Sequence, residues 1–274
     1  MVNSPGASPG IALGSQANGY VATLAEMYCG KMDVVNRGFG GYNTRQLLKK
    51  LRDDFYNGVP EGEVRLITIN IGTNDSANTE LAHVPLDKYK QNLRDIIAFF
   101  RSAHPDAKLI LLTPSTCDIE MWDHFMSLLQ VRRGPGAAPE RDPSTLRVYA
   151  DACLEIVGEY DNTVVGVDLW SPIDQALSEG LLPEEIFTDG VHFRREGYEI
   201  ISEAVTSCIR TNIPALEPFP MPDAFTWNVT YDNEGSPACA AILKKVKEKT
   251  LDIPALLEAQ RQQNLARINA VRGG

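Results

Sequence analysis

Residues 64–72, with the sequence VRLITINIG, form an almost uninterrupted run of apolar and β-branched side chains. Such a run, without polar alternation, is typical of a strand in a parallel sheet that is covered on both faces. Three further runs share the pattern: MDVVNRGF at 32–39, AKLILLTP at 107–114 and TVVGVDLW at 163–170. The sequence therefore predicts four buried, parallel strands.

Segments with helical periodicity alternate with these strands. They lie at 20–28, 43–58, 85–105, 144–160 and 195–212. Pro85 is a typical opening residue, Ser144 is a good N-cap, and Gly58 is a possible C-cap. The order α-β-α-β-α-β-α-β-α predicts a three-layer α/β/α sandwich with a doubly wound parallel sheet and right-handed crossovers.

The two ends of the chain differ from this alternating domain, which covers residues 19–212. Residues 1–18 are rich in Gly, Pro and Ser, so we expect irregular structure there and an apparently absent first strand of the sheet. Residues 213–274 begin with a proline-rich strap and continue as charged, amphipathic helices with a break at Pro254. We expect this C-terminal extension to carry no chemical motif of its own.

Composition excludes several classes of partner. The chain has 26 basic and 36 acidic residues, a net charge of −10, and such an acidic surface repels nucleic acid and anionic lipid. No apolar run approaches the roughly 20 residues of a membrane span, and the N-terminus lacks the pattern of a secretory signal. The 5 cysteines are scattered, which favours reduced thiols over disulfides or a zinc site. We expect a cytoplasmic protein without a metal.

Three stretches contain residues that can carry chemistry, in positions where open α/β sheets bind ligands. They are NRGFGGYNT at 36–44, IGTNDS at 71–76 and TDGVHF at 188–193. In the last, a carboxylate at Asp189 is spaced to orient the ring of His192. Each stretch also has a structural interpretation, because glycines form tight turns, Asn74 and Asp75 can cap a helix, and a half-buried histidine can simply be satisfied by its neighbours.

The glycine-rich stretch also has some similarity to a dinucleotide-binding loop. The third glycine of the G-x-G-x-x-G pattern is missing, since that position is Asn43. A flavodoxin-like nucleotide-binding protein is therefore a weaker alternative.

Taken together and in this order, the three motifs resemble those of the SGNH/GDSL hydrolase family. DVVNRGFGGYNTR at 33–45 and IGTNDSA at 71–77 are similar, almost residue for residue, to the isoamyl-acetate-hydrolysing esterase-like branch. The resemblance covers roughly residues 19–212. It implies a flavodoxin-like SGNH fold and hydrolysis of small-molecule esters with short acyl groups, without a metal or organic cofactor.

The resemblance also implies roles for four residues. His192 would be the general base, and Asp189 would hold its ring in the required tautomer. The backbone N–H of Gly41 and the side-chain amide of Asn74 would form the oxyanion hole, which binds the negative charge of the tetrahedral intermediate.

The nucleophile is the incomplete part of the resemblance. In the family it is the serine of a Gly-Asp-Ser motif at the end of the first strand, and this sequence contains no Gly-Asp-Ser. Counting back from Gly19 by the family's usual spacing leads to Ser8, and Ser4 and Ser15 are the other local candidates. None of the three follows an apolar run that would hold it on a strand, so the sequence alone predicts no more than trace ester hydrolysis.

Two alternatives to an active enzyme follow from this gap. One is a catalytically dead SGNH-like protein that acts as a binding module or scaffold through its C-terminal helices. The other is an N-terminally shortened version of an active enzyme. The long segment 115–143, with Trp122, Phe125 and Met126, is either the wall of an apolar acyl pocket or a surface loop. No feature of the sequence indicates an oligomeric state.

Overall fold

The structure is a computed structural model that describes residues 2–3, 19–53, 63–129 and 139–218. The chain divides into two compact units, Met1–Phe225 and Thr226–Gly274. The C-terminal helices predicted beyond residue 237, the C-cap at Gly58, and the serines Ser4, Ser8 and Ser15 lie outside the described residues. All the described residues therefore belong to the first unit.

Four parallel strands form the sheet in the described part of the chain, and their spatial order follows the sequence. They are β1 (Val2–Asn3), β2 (Leu66–Asn70), β3 (Lys108–Leu112) and β4 (Val164–Val167). Val2 pairs with Ile67 and Asn3 pairs with Thr68. The prediction that the first strand is absent is therefore wrong, while the irregular structure predicted for the rest of residues 1–18 falls outside the described residues. Two residues are too short for a periodic pattern, and this strand is defined only by its pairing with the edge of β2.

The strand predicted at 32–39 is also not found. Within this segment only Val35 makes a β-bridge, and its neighbours have no regular structure. Met32 and Val34 instead pack against the apolar cluster on one face of the sheet. The apolar run thus reflects side-chain packing rather than strand pairing, a distinction that periodicity cannot make.

The five helices predicted between residues 20 and 212 form, with shifts at their ends, and three further α-helices accompany them in the described part of the chain. The helices are α1 (Tyr20–Met27), α2 (Thr44–Asp53), α3 (Leu86–Ala103), α4 (Ile119–Leu128), α5 (Pro143–Val157), α6 (Trp170–Ser178), α7 (Pro183–Ile186) and α8 (Arg195–Asn212). The unpredicted ones are α4, α6 and α7. No helix among the described segments has both the length and the apolar character that crossing a bilayer requires.

The N-cap of α5 differs from the predicted Ser144. Asp142 has this position, and its carboxylate accepts the backbone N–H groups of Ser144 at 3.1 Å and Thr145 at 3.3 Å. Pro143 is the first helical residue, where its missing N–H is not needed, so the cap falls one residue before it.

Two helical layers cover the sheet, which confirms the three-layer α/β/α sandwich. Alternate residues of a strand point to opposite faces, so Ile67 and Ile69 pack with α2, α3 and α5 in one apolar cluster. Leu66 packs with α1, α6 and α8 in the other. The second cluster continues past α8, because Leu216 is buried in it and its carbonyl accepts the hydroxyl of Tyr28 at 2.6 Å.

Candidate active site

His192 and Asp189 form a hydrogen-bonded pair in the loop between α7 and α8. The Nδ1 atom of His192 bonds to Oδ2 of Asp189. The other carboxylate oxygen accepts the backbone N–H groups of Val191 at 3.0 Å and His192 at 2.8 Å. Because both oxygens are engaged and Asp189 is only 7% exposed, the carboxylate and the ring hold each other in one orientation.

The ionisation of Asp189 follows from these contacts. Burial alone would raise its pKa, but the hydrogen bonds from the ring and backbone of His192 lower it, with help from the N–H of Val191. The net effect is a pKa below the ordinary value. An ionised Asp189 favours the His192 tautomer with its proton on Nδ1, so Nε2 is left as a proton acceptor.

The Nε2 atom of His192 is buried and has no hydrogen-bond partner among the residues that the structure describes. A buried polar atom without a partner carries a free-energy penalty, and native proteins contain few of them. The carboxylate of Asp189 holds the other nitrogen of the ring. The unprotonated Nε2 can therefore remove a proton from a hydroxyl group placed beside it.

Gly190 determines the path of this loop. Its φ is +95°, and a Cβ atom there would lie 2.3 Å from the carbonyl oxygen of Asp118 and 2.7 Å from the backbone nitrogen of Trp122. The N–H of Asp118 also donates to the carbonyl of Gly190 at 2.8 Å. The loop therefore packs backbone to backbone against the start of α4, and only glycine fits that approach.

Asn74 lies in the turn after β2 and contacts the glycine-rich turn before α2. Its Nδ2 atom donates to the carbonyl of Tyr42 at 3.2 Å. Tyr42 directly follows Gly41, which has a φ of +80°. The two predicted oxyanion donors thus lie in adjacent turns at one edge of the sheet.

Asp75 has the capping role that the sequence left open. Its carboxylate accepts the N–H of Thr44, the first residue of α2, at 3.0 and 3.1 Å, and also the Thr44 hydroxyl. Burial raises the pKa of Asp75 to about 6, against the opposing effect of the Thr44 hydrogen bonds. Asp75 is therefore a helix cap supplied from another part of the chain, and Asn74 beside it contacts the proposed oxyanion region.

The start of α2 is already occupied, which argues against a nucleotide site. Asn43 and Gln46 form a reciprocal cap in which each backbone N–H donates to the other's side-chain oxygen at 2.9 Å. Together with Asp75 on Thr44, this engages three of the N–H groups at the helix start that a phosphate would use, those of Asn43, Thr44 and Gln46. Asn43, which has the position of the third glycine in the dinucleotide-binding pattern, therefore caps α2.

Two side chains connect the two parts of the site: Arg141, which the sequence did not indicate, and Trp122, which it offered only as a candidate for the pocket wall. The guanidinium of Arg141 donates to Oδ1 of Asn74 at 2.8 Å and to the carbonyl of Thr73. It lies over the ring of Trp122 at 5.3 Å, and that ring lies 6.2 Å from the ring of His192. This series of contacts places Asn74 and His192 at the same edge of the sheet. No local pattern distinguishes Arg141 from a surface arginine, so sequence reasoning could not identify it.

The segment 115–143 is partly helical rather than a simple loop. Trp122 on α4 is buried and packs 5.7 Å from Phe125. Phe125 and Met126 are partly buried against the same small apolar cluster. Residues 130–138 lie outside the described residues, and the predicted pocket wall therefore stays a prediction.

The structure does not bring a described serine to His192. Ser76 and Ser115 follow β2 and β3, but their hydroxyls donate to backbone carbonyls, of Thr73 at 3.0 Å and Thr116 at 2.9 Å. In the sequence Ser4 directly follows β1, which ends at Asn3.

Comparisons with known proteins identify the family. The model of the GDSL-like lipase/acylhydrolase family matches residues 5–200. A GDSL esterase/lipase of Arabidopsis thaliana is 32% identical over 198 residues, which are 70% of this chain and 78% of that protein. An isoamyl acetate-hydrolyzing esterase 1 homolog of Bos taurus is 33% identical over 211 residues, which are 76% of this chain and 80% of that protein.

Solved structures of esterases have a similar fold. The acetylxylan esterase Axe2 of Geobacillus stearothermophilus aligns with a TM-score of 0.53 at 22% identity, over 77% of this chain and 91% of its own. The acetyl xylan esterase AlAXEase aligns with a TM-score of 0.56 at 16% identity, over 76% of this chain and 100% of its own. The family match spans the three motifs that carry the resemblance, which is thereby confirmed. The chain belongs to the GDSL-like lipase/acylhydrolase family, and its function class is carboxylic ester hydrolysis.

Proposed function

We propose that this protein hydrolyses small-molecule esters with short acyl groups by transferring the acyl group to a serine. His192 is the general base and Asp189 orients it. The observation that carries the proposal is the state of the His192 ring, whose Nδ1 is held by a buried carboxylate while its buried Nε2 has no partner in the described part of the chain. A base with one engaged nitrogen and one available nitrogen suits the activation of a hydroxyl.

The residues can perform both halves of the reaction. In the first half, Nε2 of His192 takes the serine proton as the oxygen attacks the ester carbonyl, and the imidazolium then protonates the departing alcohol. In the second half, a water molecule repeats the attack on the acyl-serine and the acid is released. The N–H of Gly41 and the amide of Asn74 bind the oxyanion in both intermediates, and one such donor typically contributes about 10²–10³-fold in kcat.

We assign the nucleophile to Ser8, ahead of Ser4 and Ser15. Ser8 has the family's spacing before Gly19, and it ends the triplet Gly-Ala-Ser, which differs from Gly-Asp-Ser at one residue. The family match begins at residue 5, so it includes Ser8 but not Ser4. Ser4 is the principal competitor, because it directly follows β1 in the sequence.

The proposed substrate class rests on the side chains near His192 and on the relatives. Trp122 brings a buried apolar surface to the region of the base, and this suits a compact, apolar acyl group. Two of the similar proteins are named for isoamyl acetate and acetylxylan, and both of these compounds contain acetyl groups. The chemistry needs no metal or organic cofactor, because side chains and backbone supply the base and the oxyanion donors.

We further propose a cytoplasmic location. Among the described residues, Cys117, Cys153 and Cys208 are buried free thiols, a state that suits a reducing compartment. The net charge of −10 makes nucleic acid an unsuitable partner.

Labelling with a fluorophosphonate ester, followed by peptide mass spectrometry, tests the mechanism. We expect a single adduct on Ser8, together with hydrolysis of p-nitrophenyl acetate. Both should disappear in Ser8→Ala and persist in the matched control Ser15→Ala. An adduct on Ser4 would move the nucleophile to the end of β1. A folded protein that forms no adduct and hydrolyses no ester would contradict the proposal and favour the catalytically dead scaffold. Turnover well above a trace would support the proposal and would show that the expectation of trace activity, drawn from the missing Gly-Asp-Ser, is wrong.

A further inference from the structure

Arg141 is a charged side chain in an unusual environment. It is buried, with 7% of its side chain exposed, and the distance from its Nε to the carboxylate of Glu140 is 3.8 Å, too long for a hydrogen bond. Burial lowers the pKa of the guanidinium, while Glu140, Cys117 and Asp189 oppose this effect. Burying a charge is unfavourable unless specific contacts compensate for it. The contacts of this arginine therefore indicate what it does.

Both hydrogen bonds of the Arg141 fork go to the turn that contains Asn74. One nitrogen donates to the carbonyl of Thr73 and the other donates to Oδ1 of Asn74 at 2.8 Å. The guanidinium plane lies over the ring of Trp122, which restricts its rotation. A planar fork fixed in this way holds two consecutive residues of the turn at once.

This contact determines the orientation of the Asn74 amide. With Oδ1 held by Arg141, Nδ2 points to the other side, where one of its two hydrogens bonds the carbonyl of Tyr42. The second hydrogen is then available to an oxyanion. In the flipped orientation, the amide nitrogen would face the donor of Arg141 and the amide oxygen would face the carbonyl of Tyr42, so both contacts would become repulsive.

We propose that Arg141 is the positioning residue of the oxyanion hole, which holds the amide of Asn74 so that an N–H faces the reacting carbonyl. Its positive charge on the amide oxygen also polarises the amide and strengthens the N–H as a donor. This inference rests on the proposed role of Asn74, and it assigns to the segment before α5 a part in catalysis without direct contact with substrate.

Arg147 provides a matched control on the same part of the chain. Its guanidinium also lies over a tryptophan, Trp170, at 5.0 Å. It differs in its partners, which are the carboxylates of Asp151 at 2.7 Å and Asp168 at 3.7 Å and the hydroxyl of Ser171 at 3.0 Å. Its side chain is 36% exposed. Replacing it removes an arginine–tryptophan stack without touching Asn74.

Steady-state kinetics with p-nitrophenyl acetate test the catalytic consequence. We expect Arg141→Met to lower kcat by about 10- to 100-fold with little change in KM, because a small misplacement of a donor is sufficient for such a loss. Arg147→Met should change kcat less than about twofold, as a surface substitution does. In the background of Asn74→Ala, Arg141→Met should have little further effect, because residues that act through one another are not additive.

Arg141→Lys separates positioning from charge. A lysine retains the charge but cannot hold both Thr73 and Asn74 with a rigid fork, so we expect a kcat between those of the unmodified protein and Arg141→Met. Circular dichroism is used to check that each variant is folded. If Arg141→Met does not fold, Arg141→Lys is used for all the measurements.

The NMR signals of the Asn74 side-chain NH₂ group test positioning without any turnover. They are assigned by their absence from the spectrum of Asn74→Ala. We expect the pair to shift and broaden in Arg141→Met and to stay unchanged in Arg147→Met. An inactive unmodified protein would contradict the proposed function, and this spectrum would still decide the role of Arg141. Unchanged Asn74 signals, or a loss of kcat fully additive with that of Asn74→Ala, would overturn the inference.

Discussion

The two sides of the site are held in place by different forces. The oxyanion side, residues 41–44 and 73–75, is fixed by hydrogen bonds between two short motifs, with the carboxylate of Asp75 on the start of α2. The base side, residues 188–192, is fixed by backbone packing, with Gly190 in direct contact with the start of α4. The first arrangement depends on polar groups and their protonation. The second has a polar pair too, Asp189 with His192, but the position of its loop depends on the close approach at Gly190.

This difference predicts how each side responds to change. A substitution that alters a polar group should damage the oxyanion side, and its effect should depend on pH. A substitution that adds a single carbon atom should damage the base side at every pH. The residues that perform the chemistry can also be separated from those that hold them in place. His192 lies on the base side, but its proposed role is proton transfer rather than packing.

The largest expected effect comes from His192→Ala, which removes the base and leaves both supporting arrangements intact. We expect kcat/KM for p-nitrophenyl acetate to fall by about 10⁴-fold or more, as it does when a triad member is lost. The control is His124→Ala on the exposed face of α4, which should have no effect on the rate. Equal rates in the two variants would show that the base side does not take part in the reaction.

Gly190→Ala tests whether packing fixes the base side. The new Cβ atom would meet the backbone of α4 at 2.3 Å, at a φ of +95°, so we expect a free energy of unfolding lower by about 2–5 kcal/mol. The matched control is Gly180→Ala, which also has a positive φ, +109°, but no atom within 4 Å. It should lose only about 1–2 kcal/mol. Urea titrations measure both, and equal losses would contradict the close contact with α4.

The smallest expected effect concerns Asp75 and pH. Its pKa is about 6 in the folded protein, against an ordinary value of 3.8, so the folded state binds this proton more tightly than the unfolded state does. The stability that Asp75 contributes is therefore present below pH 4 and is lost as the pH rises through 6. Relative to Asp75→Asn, we expect the unmodified protein to lose roughly 2–3 kcal/mol of unfolding free energy between pH 4 and pH 8.

Asp142→Asn is the control for that measurement, because its pKa shift has the opposite sign. Hydrogen bonds from Ser144 and Thr145 lower the pKa of Asp142 as it caps α5, with Ser144 as the largest cause. Its contribution to stability should be present above its ordinary pKa and lost as the pH falls through the lowered value. Urea titrations of both variants provide the comparison. The loss at Asp142 falls below its ordinary pKa of 3.8, so between pH 4 and pH 8 its contribution should stay constant while that of Asp75 falls. Parallel pH profiles for the two variants would contradict the burial-driven shift at Asp75.

Much of the fold could be predicted from apolar periodicity, and the errors have a common cause. The runs at β2, β3 and β4 are long enough for their pattern to identify buried strands. The run at 32–39 has the same composition but packs without pairing, and β1 pairs with almost no run at all. Strand pairing is a contact between distant segments, and composition reports only the tendency to be buried.

The site divides in the same way. Gly41, Asn74, Asp189 and His192 could be selected because each lies in a short motif in which residue type and spacing carry the chemistry. Arg141 could not be selected, because its role comes from a contact with a residue 67 positions away in the chain.

The sequence by itself determined the family, the alternating order of elements and the identities of the proposed base, its orienting acid and the oxyanion donors, because these depend on chemical groups at local spacings. Only the tertiary structure decided that β1 joins the sheet, that Asp75 rather than Asn74 caps α2, and that Arg141 and Trp122 connect the two sides of the site. The physical reason is that hydrogen bonds and van der Waals contacts act over a few ångströms in space, whatever the separation along the chain.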